Sequence, residues 1–154
     1  MTTANLNPVT APIVDDSEKS QEELAIEVIN SLPKTIGSII NKLQELTVLY
    51  SGNQIDKANI IFAESIEYID LFIQLITKIN TIFSVQLRQM NQLKKIHKLE
   101  YHLLSVLKAL LPAKEKQDII MLCDLIEYEL IDNLTQWKID IIPGLKKLEN
   151  TKKV

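Results

Sequence analysis

The chain has 154 residues, 46% hydrophobic and 24% charged, with 3 Gly, 5 Pro, 1 Cys and a formal net charge of -3. That length supports one domain with a real core, and so few Gly and Pro leave too few turn signals for an all-β fold. The acidic balance argues against a nucleic-acid protein, which needs a surplus of Lys and Arg on one face; a lone cysteine excludes an intramolecular disulfide and a Cys-based zinc site.

Residues 1–19 carry Pro8 and Pro12 among Thr, Asn, Asp and Ser without helical or alternating pattern, and are read as a flexible N-terminal arm. Its apolar residues Leu6, Val9, Ile13 and Val14 could dock on the rest of the chain or on a partner. The N-terminus lacks the basic-then-apolar order of a signal peptide. The richest apolar stretch, 69–83, is broken by Asp70, Gln74, Lys78 and Asn80, so no membrane span is expected and the protein is read as soluble and cytoplasmic.

Ser20 followed by Glu23 has capping-box spacing and predicts a helix start. Ala25, Ile29 and Leu32 form its stripe, and Pro33, lacking an amide, predicts a break near Ser31, making this a short extra N-terminal helix. The next helix runs to about Tyr50 on Ile36, Ile39/Ile40, Leu43, Leu46 and Leu49/Tyr50, with Gly52 expected in the left-handed cap conformation. From Ile55 the seam Ala58, Phe62, Ser65, Ile69, Phe72, Ile76, Ile79, Phe83 steps by three and four, with a second stripe of Ile61, Tyr68, Leu71, Leu75 and Ile82 beside it. This is expected to be the longest and most buried helix. A turn is placed in 84–91. A third long helix on Leu93, Ile96, Leu103, Leu107 and Leu110 ends before Pro112, with 112–115 as a loop. The fourth carries Ile119, Leu122/Cys123, Ile126, Leu130, Leu134, Trp137 and Ile141, and Pro143-Gly144 closes it before a tail at 151–154.

One stretch occurs twice, sixty positions apart. Ile60-Ile61-Phe62-Ala63-Glu64-Ser65-Ile66-Glu67-Tyr68 is echoed by Ile120-Met121-Leu122-Cys123-Asp124-Leu125-Ile126-Glu127-Tyr128, and upstream Leu43, Leu46 and Tyr50 match Leu103, Val106 and Leu110. The expected fold is therefore all-α: an antiparallel up-and-down four-helix bundle built from a duplicated hairpin, about 33–80 and 92–142, within one domain at 20–150. Symmetry then predicts that the two Glu-Tyr pairs occupy equivalent places on opposite sides.

Catalytic, metal-binding and cofactor-binding sets do not emerge from the spacing. Neither histidine follows a Glu by three, and Glu64, Glu67, Asp124 and Glu127 read as solvated acidic faces with no buried carboxylate pair. His97 sits among Lys94, Lys95 and Lys98, while His102 beside Leu99 and Val106 reads as half-buried and bonded to a neighbour. Cys123 matches Ala63 and reads as a small, inert core position. Arg88, Lys94, Lys95, His97 and Lys98 form the one strong positive cluster, a solvated helix start or a meeting point for an acidic partner or RNA. No phosphate-loop, dinucleotide or nucleophile-elbow motif occurs. The chain is read as a non-enzyme without cofactor.

At Leu49-Tyr50-Ser51-Gly52, Lys57-Ala58-Asn59 and Gln136-Trp137 the chain resembles the bacterial flagellin export chaperones. The resemblance implies a small antiparallel helical bundle with a mobile N-terminal arm that wraps an export substrate. It departs at Ser51-Gly52, where that family carries Asp-Gly. The functional expectation is a protein-binding module, adaptor or export-chaperone in type, that accepts an amphipathic segment of a partner between its helices. Tyr68, Glu67, Tyr128, Glu127 and Trp137 are the candidate partner-binding residues, the aromatic ones reading first as ordinary bundle core. The alternative is a structural homo-oligomer that pairs through the apolar faces of 55–83.

Overall fold

The computed structural model describes residues 18–152, so the expected arm, apart from its last two residues, and the end of the tail lie outside the described residues. The regular elements are α1 (Gln21–Ser51), α2 (Ile55–Ile82), α3 (Ser84–Gln89), α4 (Leu93–Glu115), α5 (119–146) and α6 (Leu148–Lys152). No strand occurs among the described residues.

α1 starts where the capping residues place it, with the Ser20 hydroxyl accepting from the Glu23 amide at 3.1 Å. It then continues through Pro33, so the expected break and the separate short N-terminal helix are corrected: both segments are one helix. An interior proline costs about 3 kcal/mol. Ile29, Leu32 and Ile36 around it are all fully buried, and burying three such side chains contributes about 4.5 kcal/mol or more. Continuity of the apolar face outweighs the lost backbone bond. α1 buries ten side chains against seven for α2 and packs along both α2 and α5. The expectation that α2 is the longest and most buried helix is therefore also corrected, since α1 has 31 residues against 28. Its main seam, Ala58 to Phe83, is buried, but of its second stripe Tyr68 and Leu71 are exposed and Ile61, Leu75 and Ile82 half-buried.

Three turns join the long helices by one device. Asn53, Asn91 and Gln117 have φ of 61°, 58° and 55°. In each turn the next amide bonds five residues back: Gln54 to Leu49, Gln92 to Leu87 and Asp118 to Ala113, all at 2.9 Å. This is the Schellman pattern. The left-handed residue is thus Asn53 rather than Gly52, whose φ is -85°. Residues 84–91, expected as a turn, hold the short helix α3 before the reversal at Asn91. Pro112 lies inside α4, which extends to Glu115, so 112–115 is not a loop.

Cross-ties fix the neighbours. Lys42 reaches Glu64 at 2.8 Å and Tyr50 donates to Asn59 at 3.0 Å between α1 and α2. Between α2 and α4, Asn80 donates to Glu100 at 3.2 Å and the Lys114 ammonium stands 5.4 Å from the Phe62 ring centroid. His102 meets Glu129 at 3.1 Å and Asn133 donates to the Leu99 carbonyl at 3.1 Å between α4 and α5. In every pair the residue number rises along one helix as it falls along the other. Phe72 and Trp137 meet edge to face at the centre, 5.2 Å apart and 89° between planes.

α5 passes Pro143-Gly144 without ending there, contrary to expectation, and contains two π-helical stretches, Leu125–Leu130 and Trp137–Ile141. These wider turns each absorb an extra residue, and the buried positions record it. Phe62 and Leu122 are 60 apart. Ser65 and Ile126, Ile69 and Leu130, and Ile76 and Trp137 are each 61 apart. Ile79 and Ile141 are 62 apart. The end of α5 is seated by Gly144, where a Cβ would lie 2.7 Å from the Gln92 side chain.

Two substitutions test these points. A Cβ at Gly37 meets nothing within 4 Å, so Gly37→Ala should stabilise α1 by about 1 kcal/mol, a rise of about 2–4 °C in thermal midpoint. Gln117 is exposed and left-handed; Gln117→Gly should stabilise by about 0.5–1 kcal/mol, measured by urea denaturation, and a loss of stability would show that the strain is compensated by the side chain.

Candidate functional site

The second stripe of α2 becomes the wall of a groove. Tyr68, Leu75 and Ile82 recur every seven residues and so share one flank of the helix; Leu75 and Ile82 face the first turns of α1, and Tyr68 lies farther along, beside Lys42. There Leu24, Ala25, Val28, Leu75, Ile79 and Ile82 line an apolar groove of about 230 Å³, with Gln21 and Lys78 at its rim. Leu24 is 48% exposed, and the apolar strip continues beyond the groove to Leu71 at 50% and Tyr68 at 48%. The packing of α1 on α2 leaves this line unsealed.

Tyr68 is held by its surroundings. The Lys42 ammonium lies 5.4 Å from its ring centroid while bonding Glu64 at 2.8 Å. The hydrogen bond to Glu64, opposed by burial, raises the Lys42 pKa. One side of the phenol ring is thereby occupied, and its remaining surface is presented beside Leu71. Glu67 is exposed on the same helix.

The other predicted residues fall elsewhere. Tyr128 is 70% exposed and Glu127 is exposed, both within the first π-helical stretch of α5. No ring contact or hydrogen bond joins Tyr68 to Tyr128 among the described residues. Trp137 is fully buried against Phe72; it belongs to the core and offers nothing to an incoming partner.

The polar groups raised by the sequence also find places. Asn133, fully buried, donates to the Leu99 carbonyl at 3.1 Å and sits 2.9 Å from His102 Nδ1. With the amide hydrogens directed there, Nδ1 is the acceptor and Nε2 donates to Glu129 at 3.1 Å. His102 is thus a half-buried histidine bonded to neighbours on α5. Cys123 is half-buried rather than tightly enclosed, 4.0 Å from the Thr47 carbonyl, and its counterpart Ala63 is exposed. Burial pushes the Cys123 thiol pKa up, which keeps the thiolate scarce at neutral pH. No group of three or more His, Cys, Asp or Glu among the described residues converges as a metal-ligand set, and no helix among them is long and apolar enough to cross a membrane.

Sequence reasoning missed Leu24 and Val28 as groove residues. Their i, i+4 spacing was visible, but the stripe Ala25, Ile29, Leu32 marks only the core side, and an expected break at Pro33 hid the fact that α1 supports the groove as part of one long helix.

No curated protein and no solved structure matches the chain. A family model does, over residues 27–140, which takes in α1 from its second turn through most of α5. The chain belongs to the family described as Domain of unknown function (DUF8042).

Proposed function

We propose that the protein is a non-enzymatic protein-binding module, adaptor or export-chaperone in type and acting in the cytoplasm, whose α1–α2 groove accepts an amphipathic segment of a partner. The observation that carries this reading is the unsealed apolar line from Leu24 and Val28 through Ile82, Leu75 and Leu71 to Tyr68. An amphipathic helix placed along it would meet apolar positions at helical spacing and a polar rim at Gln21, Lys78, Lys42 and Glu64. Covering the exposed half of a leucine is worth about 1 kcal/mol. A handful of such residues, set against the cost of association, fits reversible capture rather than permanent assembly.

We also read the chain as an up-and-down antiparallel four-helix bundle derived from a duplicated hairpin. The opposed numbering of the cross-ties supports the topology. The match of residues 60–68 with 120–128 at a constant offset of 60 supports a duplication.

The alternative occupant of the groove is a second copy. Exposed apolar residues are not confined to it: Val48, Ile60 and Ile120 are also exposed, so a self-paired surface could be larger than the groove itself.

Capture of a partner from source cells by the tagged protein, followed by titration of the purified pair, tests both readings. Leu71→Asp and Leu24→Asp should abolish binding with the fold intact, because both side chains are about half exposed. Tyr68→Ala should weaken it by about 1–2 kcal/mol, and Tyr128→Ala should leave it unchanged. Trp137→Ala should instead destabilise the fold by about 3–5 kcal/mol. Sedimentation showing a dimer that Leu71→Asp dissociates, with no second protein captured, would replace the adaptor by the homo-oligomer.

A further inference from the structure

Residues 71–99 contain Lys78, Arg88, Lys94, Lys95 and Lys98 and not one Asp or Glu, in a chain of net charge -3. The reversal at Asn91 folds this stretch on itself, bringing the last turn of α3 against the first turns of α4. Arg88, Leu93 and His97 are common to two adjoining clefts of about 470 and 530 Å³. Glu100 lines the first and Lys94 the second. The ion pairs of the described residues are Lys19 with Glu27, Lys42 with Glu64 and His102 with Glu129. Arg88 and Lys94 therefore have no ion-pair partner among the described residues.

The first cleft adds acceptors to the shared cations. Thr77 and Thr81 donate their hydroxyl hydrogens to the carbonyls of Ile73 at 2.9 Å and Thr77 at 3.0 Å, which leaves acceptor lone pairs. Glu100 takes one hydrogen bond from Asn80 at 3.2 Å. Burial raises the Glu100 pKa, while His97 and that bond pull the other way. The two adjoining clefts thus set the cations Arg88 and Lys94 beside the acceptors Glu100, Thr77 and Thr81. Neither Phe, Tyr nor Trp lines either part, so a nucleobase would find only the His97 ring and the Arg88 guanidinium to stack on.

We propose that this cleft binds a small phosphorylated sugar or polyol, with the phosphate held by Arg88, Lys94 and His97 and the hydroxyls donating to Glu100 and Thr77. A phosphate supplies the anion that Arg88 and Lys94 lack, and hydroxyl hydrogens can be donated to Glu100 and the threonine oxygens. Either cleft volume falls in the range of small-molecule sites. The site lies on α2, α3 and α4 and does not depend on the α1–α2 groove.

Calorimetric titration at low salt with ribose 5-phosphate, inorganic phosphate and ribose as probes tests the assignment. Ribose 5-phosphate should bind about tenfold or more tightly than either phosphate or ribose. The Arg88→Ala/Lys94→Ala double variant should lose that binding about a hundredfold with an unchanged thermal midpoint, since both side chains are exposed. Glu100→Gln should weaken ribose 5-phosphate about tenfold without weakening phosphate, which separates recognition of the hydroxyls from charge alone. Leu71→Asp should bind ribose 5-phosphate as the parent does. Absence of saturable heat at millimolar ribose 5-phosphate, equal affinity for phosphate alone, or an unaffected double variant would each overturn the proposal.

Discussion

The unbroken apolar face of α1 is the constraint on which the rest depends. From Ala25 to Tyr50 it supplies one wall of the core to α2 and another to α5. Had the chain broken at Pro33, Ile29 and Ile36 could not both be fully buried on one helix axis. The helix would lose the register that brings Lys42 to Glu64 and the Thr47 carbonyl to Cys123. A single missing amide is a local cost, whereas the stripe is shared by every neighbour of α1. In a bundle the shared term prevails.

That balance explains what was legible in the sequence. The α2 seam could be read almost residue by residue, because its steps of three and four place Ala58, Phe62, Ser65, Ile69, Phe72, Ile76, Ile79 and Phe83 on one line, and all are buried. The errors lie at Pro33, Pro112 and Pro143, where local rules predict an end and the helix continues. Each proline was weighed as an isolated residue, and the competing burial was not visible without the neighbours. Turn chemistry failed in a similar way: glycine suggested itself for the left-handed position, but the short polar side chains of Asn53 and Asn91 tolerate that conformation as well.

The candidate site was half legible. Tyr68 and Leu71 stand out as apolar positions beyond the seam, and both remain exposed. Trp137 could not be separated from them by residue type, since a large amphipathic ring suits a core and an interface equally. Its place on the stripe of Leu130, Leu134 and Ile141 is legible in the sequence, but its enclosure against Phe72 is not. The basic cleft was legible as a charge run, but the acceptors beside it were not, because Thr77 and Glu100 come together only across the α2–α4 seam.

The two surfaces differ in what they can select. The α1–α2 groove offers area with little direction, so its discrimination rests on the spacing of apolar side chains and on the charges at its rim. The cleft beside Asn91 offers little apolar area and a fixed order of cations and acceptors, which favours a small polar ligand over a helix. They share α2, whose Ile79 lines the groove while the neighbouring Asn80 lines the cleft. A ligand that tightens the α2–α4 seam through Glu100 would act on a helix that also forms the groove wall. Coupling between the surfaces would then need no path beyond α2 itself, provided that the two occupants prefer different positions of that helix.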